Sequence, residues 1–389
     1  MIRAGVRNGE GGVSLLVDAR AILAGGIGRY LREILSRLFC DPRFSDFTLL
    51  GSGPRLREFV AQHRPGKEPP FIRMVDFEVD FYSPRLHLVW PLLRRKVDFE
   101  VAFFPHYDAP AFGLPPNSVV TIHDLTHFKL PETFPRLRRM AAGVIFDRVC
   151  RAAGHLIAVS EATRRDLLAR FPEVASKVSV IRNGVSDRFL KGAPPSDGAA
   201  RSAASLRPYL LSVGNRKPHK NLETAVEVLA RVRASRPDLR LVVAGRSYPG
   251  WERVVERARA LGVEGALVEF EAADDDLLHA LYTGAEALLF PSLYEGFGLP
   301  ALEARACGCP VIASDRGALP EVVGDGGALF DPYDVEGMAV AVERLSTPVA
   351  KMKRKGAPPF NCPAKWSWDR TVAELKTQLV RVAAGARGC

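Results

Sequence analysis

No apolar run in these 389 residues approaches the roughly 18 that a membrane-crossing helix needs, so no spanning segment is expected. The first dozen residues carry charge and glycine but lack the apolar centre of a secretory leader, which predicts a chain that stays in the cytosol. Cysteine is sparse. The six present, at 40, 150, 307, 309, 362 and 389, share no spacing that would make a disulfide framework, and they fit reduced thiols. Cys307 and Cys309 lie close together, but no second Cys or His pair answers them, so zinc is not expected. A nucleic-acid motif and an aromatic platform pattern are missing too, despite a net charge of +10, and nucleic acid is not expected as a partner. The composition, 47% hydrophobic and 25% charged, is that of an ordinary globular protein, in a chain too long for one comfortable core and suited to two domains.

The most informative stretch is Pro291-Ser-Leu-Tyr-Glu-Gly-Phe-Gly-Leu-Pro-Ala-Leu-Glu303. Ala287 to Phe290 reads as a short buried strand, and Pro300 sits where a helix would begin, so the local order is strand, loop, helix. Gly296 and Gly298 remove side chains where the backbone comes close to something, and the first free N–H groups of the helix point at it, which makes an anion cradle. Carboxylates would repel a phosphate, so Glu295 and Glu303 suit neutral hydroxyls that need acceptors, such as those of a sugar. Together these features point to a sugar nucleotide.

Glu295 and Glu303, with seven residues between them that include Gly-Phe-Gly-Leu-Pro, resemble the signature of the retaining family 4 glycosyltransferases. The continuation Ala-Cys-Gly-Cys-Pro-Val-Ile-Ala-Ser and Leu319-Pro-Glu-Val-Val-Gly-Asp follows the same family. The resemblance implies an α/β protein of the GT-B fold: two Rossmann-like, doubly wound parallel-sheet domains facing each other across a cleft. It also implies transfer of a sugar from a nucleoside diphosphate, with Glu295 on the sugar hydroxyls, Glu303 on the ribose, and the Gly296, Phe297, Gly298 and Leu299 backbone on the diphosphate. The start Gly25-Gly-Ile-Gly-Arg-Tyr and the segment Thr121-Ile-His-Asp-Leu look most like the polysaccharide and O-antigen mannosyltransferases, which suggests a GDP- or UDP-sugar donor and a glycan or polyprenyl-diphosphate-linked acceptor. Gly26 and Gly28 are carried over as donor-side glycines, and His123 as the histidine facing the donor sugar. His106 and His127 are weaker candidates of the same kind.

Gly214-Asn-Arg-Lys-Pro-His-Lys-Asn221 is a glycine loop bearing cations between a strand and a helix. A fixed ammonium there would stabilise the charge that grows on the diphosphate as the sugar leaves, and Lys220 is the residue expected to do so. The family usually has Arg directly after the glycine. Here Asn215 occupies that place, with Arg216 as a possible substitute. Asp274-Asp-Asp276 could suggest a metal, but it precedes an apolar-periodic helix where acids serve as caps, so no metal or other cofactor is expected. Ser160 reads as a helix cap.

Alternating β and α units divide the chain into residues 1–190 as the acceptor-side domain, 191–207 as a linker without periodicity, 208–365 as the donor-side domain, and 366–389 as a helix crossing back. Residues 51–95 read as irregular. Charge is uneven: residues 1–190 hold 28 Lys and Arg against 20 Asp and Glu, and the rest 26 against 24. Arg94 to Lys96 and Arg136 to Arg139, lying among Trp90, Phe134, Leu137 and Met140, suit a peripheral contact with an anionic membrane surface. An epimerase on the same architecture would need no acceptor surface, and a non-catalytic partner subunit would typically have lost Glu295, Lys220 or His123.

Overall fold

The computed structural model describes residues 12–23, 25–63, 70–133, 135–190, 194–345 and 364–387. Seven parallel strands make the first sheet: β1 (Val13–Asp18), β2 (Phe44–Gly51), β3 (Phe71–Asp76), β4 (Val101–Phe104), β5 (Ser118–Ile122), β6 (His155–Ala158) and β7 (Val178–Val180), in the order β3-β2-β1-β4-β5-β6-β7. Six more make the second: β8 (Tyr209–Val213), β9 (Arg240–Ala244), β10 (Leu267–Phe270), β11 (Ala287–Phe290), β12 (Val311–Ser314) and β13 (Gly327–Phe330), in the order β10-β9-β8-β11-β12-β13. This is the GT-B architecture. Central strands such as β5 and β11 are buried along their whole length, because helices cover both faces of each sheet. Alternation shows in β1, where Leu15 and Val17 join one core and Leu16 the opposite one. In each sheet the strand order reverses beside the first strand, at β1/β4 and at β8/β11, and loops at the carboxyl ends there open into a crevice.

Three parts of the chain depart from the sequence reading. The described residues within 51–95 form helix Gly53–His63, edge strand β3 and helix Arg85–Arg94. Most of β3 is exposed, so it lacks the apolar alternation that would have revealed it, and Pro91 sits inside the second helix. Trp90 belongs to the core rather than to a surface patch: it is 1% exposed and its Nε1 donates to the Gly113 carbonyl at 2.8 Å. The stretch 191–207 contains helix Asp197–Ser205, capped by Ser196 and packed through Ala203 on the second domain. Four alanines supply its helix propensity without any bulky periodic pattern. Residues 191–193 lie outside the described residues, as do Phe134 and Cys362.

The final helix, Trp368–Arg387, sends Trp368, Val372, Leu375, Leu379 and Ala383 into the first domain's core. Trp366, two residues earlier, is buried in the second domain's core. Val185 N donates to the Trp366 carbonyl at 2.9 Å, and a Cβ on Gly184 would fall 2.2 Å from Trp368 N, so the returning chain packs on the outgoing one. Among the described residues no helix is long and apolar enough to cross a membrane.

Candidate active site

On the second domain's side, the loop after β8 and the loop after β11 are tied together. Leu293 N donates to the His219 carbonyl at 2.8 Å. Asn221 adopts φ 53°, ψ 45°, and its Nδ2 donates to the carbonyls of Pro291 at 3.1 Å and Pro332 at 2.8 Å. The clamp brings Lys220 Nζ to 2.6 Å from Glu295 Oε1, with both side chains mostly covered. Gly214 has φ +130°, and a Cβ there would lie 3.2 Å from Lys220 Cε, so this glycine makes room for the lysine stem. Two of the expected residues therefore meet, and their charges are mutually satisfied in the ligand-free molecule.

Gly296 does lie at a close approach, and what it approaches is protein backbone. A Cβ there would come 1.8 Å from the His123 carbonyl oxygen, which belongs to the first domain. The Gly296 carbonyl in turn accepts from Ser160 Oγ at 2.7 Å and Thr163 Oγ1 at 3.0 Å. Ser160 also caps helix Glu161–Arg170 by accepting from Thr163 N, so one hydroxyl both starts a helix and joins the domains. Gly298 has φ +98° and opens helix Leu299–Ala306, while the Phe297 ring is buried 5.6 Å from Trp366.

Glu303 is 4% exposed. One oxygen is paired with Arg29 and the other accepts from Tyr282 OH at 2.9 Å. Burial raises its pKa, and the Arg29 guanidinium opposes that rise. Arg29 reaches from helix Gly25–Leu38 across the cleft, pairs with Asp275 as well, and its guanidinium lies 5.4 Å from the Phe189 ring centroid. The sequence reading took only the glycines from Gly25-Gly-Ile-Gly-Arg-Tyr. The one cation in that motif was the signal it passed over. Of those glycines, Gly28 is needed locally, since a Cβ would come 2.6 Å from the Ala21 carbonyl. Gly26 faces open space, and Gly25, with φ +47°, lies opposite the Asn215 side chain.

Arg216 does not stand in for an arginine at position 215. Its guanidinium is buried, paired with Glu269, and packed 4.6 Å from the Trp251 ring centroid, whereas Asn215 is exposed. The acids at 274–276 are each committed: Asp274 caps helix Asp275–Gly284 by accepting from Leu277 N at 2.8 Å, Asp275 pairs with Arg29, and Asp276 pairs with Arg188. Among the described residues no group of three His, Cys, Asp or Glu side chains is placed to hold a metal.

Opposite, β5 ends at His123. Its Nε2 donates to the Pro105 carbonyl at 2.7 Å, which fixes that tautomer and leaves Nδ1 as a lone-pair nitrogen. The Tyr30 ring meets it edge-on at 4.9 Å, and burial lowers its pKa, so it stays neutral. His106 lies 6.3 Å from His123, ring to ring, and accepts from Asp108 N at 3.0 Å. His127 is buried against Tyr107 and Phe146, away from the crevice.

Two family models match: "Glycosyltransferase Family 4" over residues 24–189 and "Glycosyl transferases group 1" over residues 200–354. The chain is 30% identical over 341 residues to O-antigen chain mannosyltransferase B of Escherichia coli, covering 82% of this chain and 86% of that one. It is 29% identical over 278 residues to the serotype-specific mannosyltransferase WbdA of Escherichia coli, 67% of this chain but 33% of that protein. HepE of Anabaena, solved in complex with UDP and glucose, superposes with a TM-score of 0.70 at 19% identity, over 95% of this chain and 100% of the other.

Proposed function

The chain belongs to the family 4 glycosyltransferases, and from that premise we propose that it moves mannose from GDP-mannose, with retention, to a hydroxyl of a glycan or polyprenyl-diphosphate-linked acceptor in surface polysaccharide synthesis. The observation that carries this reading is the Lys220–Glu295 pair at the β8/β11 reversal, with the His123–Asp124 backbone packed against the adjoining Gly296. A donor diphosphate takes Lys220 from Glu295 and frees that carboxylate to accept sugar hydroxyls. Lys220 and the N–H groups of Phe297, Gly298 and Leu299 then stabilise the charge that grows on the leaving phosphate. Glu303, whose charge the Arg29 guanidinium favours against burial, offers lone pairs to the ribose hydroxyls. Attack and departure share one face of the sugar, and the leaving phosphate oxygen takes the acceptor's proton. No cofactor takes part. Mannose is favoured over other sugars by the names of the two Escherichia coli relatives.

The test is nucleotide release from a panel of GDP-mannose, UDP-glucose and ADP-glucose, with product anomers read by NMR and EDTA in a parallel set. Fastest release from GDP-mannose with an α-linked product, in EDTA as without it, is the expected result. Failure to release nucleotide from any donor overturns the reading.

The first domain carries the face that would meet a membrane from the cytoplasmic side. Leu88 and Leu92 on helix Arg85–Arg94 and Leu137, Met140 and Val144 on helix Arg136–Ala152 are exposed. Phe112 lies between them, 5.6 Å from the His87 ring and 4.4 Å from the Arg148 guanidinium. Exposed Arg85, Arg95, Lys96 and Arg136 flank the apolar side chains, and each basic residue near an anionic leaflet contributes about 1 kcal/mol. Co-sedimentation with phosphatidylglycerol vesicles at low salt, lost in Leu137→Asp/Met140→Asp, is the result expected. Indifference of the wild type to such vesicles would point to a soluble acceptor.

A further inference from the structure

Of the described non-glycine residues, two have positive φ: Asn221, whose clamp is accounted for above, and Tyr82, at φ 62°. A side chain with a Cβ pays roughly 1 kcal/mol to sit in the left-handed region, where glycine is free, so something holds Tyr82 there. The holding groups are visible. Tyr82 N donates to Asp108 Oδ2 at 2.9 Å, and its hydroxyl meets that of Tyr107 at 3.2 Å. Asp108 is itself fixed by the buried Arg20, 3.5 Å away, whose guanidinium also pairs with Asp18 at 2.8 Å and packs over Phe81 at 4.9 Å. Burying two carboxylates and a guanidinium to keep one turn in place gains nothing for a core, because Tyr82 remains 52% exposed.

The network does fix the place of the ring. Asp18 ends β1, residues 77–82 follow β3 and His106 to Asp108 follow β4, so the whole assembly stands at the carboxyl ends of the first sheet. The Tyr82 ring lies 6.0 Å from His106, which lies 6.3 Å from His123, so Tyr82 is two aromatic steps outward from the histidine assigned above to the donor side. Asp124 and, from the second domain, Tyr248 are near enough to act electrostatically on the Tyr82 hydroxyl. Tyr248 is 43% exposed, with Lys217 Nζ 5.6 Å from its ring centroid.

We propose that Tyr82, backed by Phe81 and Tyr107, is a pyranose-binding platform that holds a sugar of the acceptor at the mouth of the cleft. A pyranose presents a flat C–H face that packs on an aromatic ring, and an edge of hydroxyls that needs acceptors, which Asp124 and the tyrosine oxygens supply. Its position outside His123 assigns it to the acceptor side rather than to the sugar being transferred. That assignment rests on the transferase reading above, but the binding itself does not.

The experiment uses the full chain and three probes, the methyl α-pyranosides of mannose, glucose and galactose, followed by saturation-transfer NMR. Thermal midpoints and GDP affinity are measured in parallel. Tyr82→Gly relieves the backbone, so its midpoint should equal or exceed that of the wild type while the Kd of the preferred glycoside rises roughly tenfold, equivalent to about 1.4 kcal/mol. Tyr82→Phe keeps the ring and should bind nearly as the wild type. Unchanged GDP affinity in both variants separates the platform from the donor site. Binding of none of the three glycosides, or unchanged glycoside binding by Tyr82→Gly, overturns the proposal. Absence of nucleotide release alongside intact, Tyr82-dependent glycoside binding would overturn the transferase reading and leave the platform standing.

Discussion

The two domains are built alike and finished differently. Each is a parallel sheet whose order reverses beside its first strand, yet at the carboxyl ends of its strands the first gathers rings, Phe81, Tyr82, His106 and His123, and the second glycines and charge, Gly214, Lys220, Glu295 and Gly298. Rings suit a neutral ligand with C–H faces. Glycine backbone and an ammonium suit a diphosphate. The scaffold thus decides where loops converge, and under the proposed function the loop residues would decide which substrate each domain holds.

The sharpest way to break this division is at its charged half. Lys220→Ala should lower kcat/KM by at least about 10²-fold, and Glu295→Ala should abolish transfer, with thermal midpoints near the wild type because both residues sit on loops. A Lys220→Ala enzyme that lost only ground-state binding, with kcat intact, would reduce the lysine to a tether. Arg29 tests the division from the other side, since it is a first-domain residue that serves the second. Arg29→Gln should raise the donor KM by roughly tenfold, and more at acid pH, because buried Glu303 then loses the guanidinium that favours its charge while burial and the nearby Asp275 favour its neutral form. Arg29→Lys should restore part of the loss. A donor KM equal to the wild type at every pH would mean that the ion pair has no role in donor binding.

The smallest effect expected is in stability. Burial lowers the pKa of His106 to about 3 and of His127 and His155 to about 4 in the first domain, against His219, at about 4, in the second. A histidine depressed below its unfolded value near 6.5 gives full stability above that pH and loses it as pH falls toward the folded value. Asp108, raised to about 6 by burial, works in the opposite direction, its ionisation costing stability as pH rises through that value. With His87 and His123 also lowered in the first domain and His279 in the second, five depressed histidines stand against two, and amide exchange should quicken first in the first domain between about pH 6 and 4. Loss of protection in the second domain first would show that the histidines do not set the order.

Much of the donor half was legible because local chemistry dictates it: a glycine before a cation loop and a Glu–Gly–Phe–Gly–Leu–Pro run leave few alternatives. The acceptor half was less so. Tyr82 matters through a φ angle and through Asp108, twenty-six residues away, and neither leaves a mark in the local pattern. Arg216 looked available because charge is visible in a sequence and burial is not. Edge strand β3 and the alanine helix Asp197–Ser205 escaped since both lack the bulky periodic residues by which strands and helices announce themselves.

The chain passes between the domains twice, outward after Gly184 and back between Trp366 and Trp368, and the two passages touch where Val185 bridges Ser367. Two adjacent crossings define a line, much as a pair of pins defines the axis of a door. Any motion that opens the crevice should then swing about that line, since Trp366 and Trp368 are each sunk in one half. The distance between Tyr82 and Tyr248, far from the pins, becomes the natural gauge of how wide the door stands.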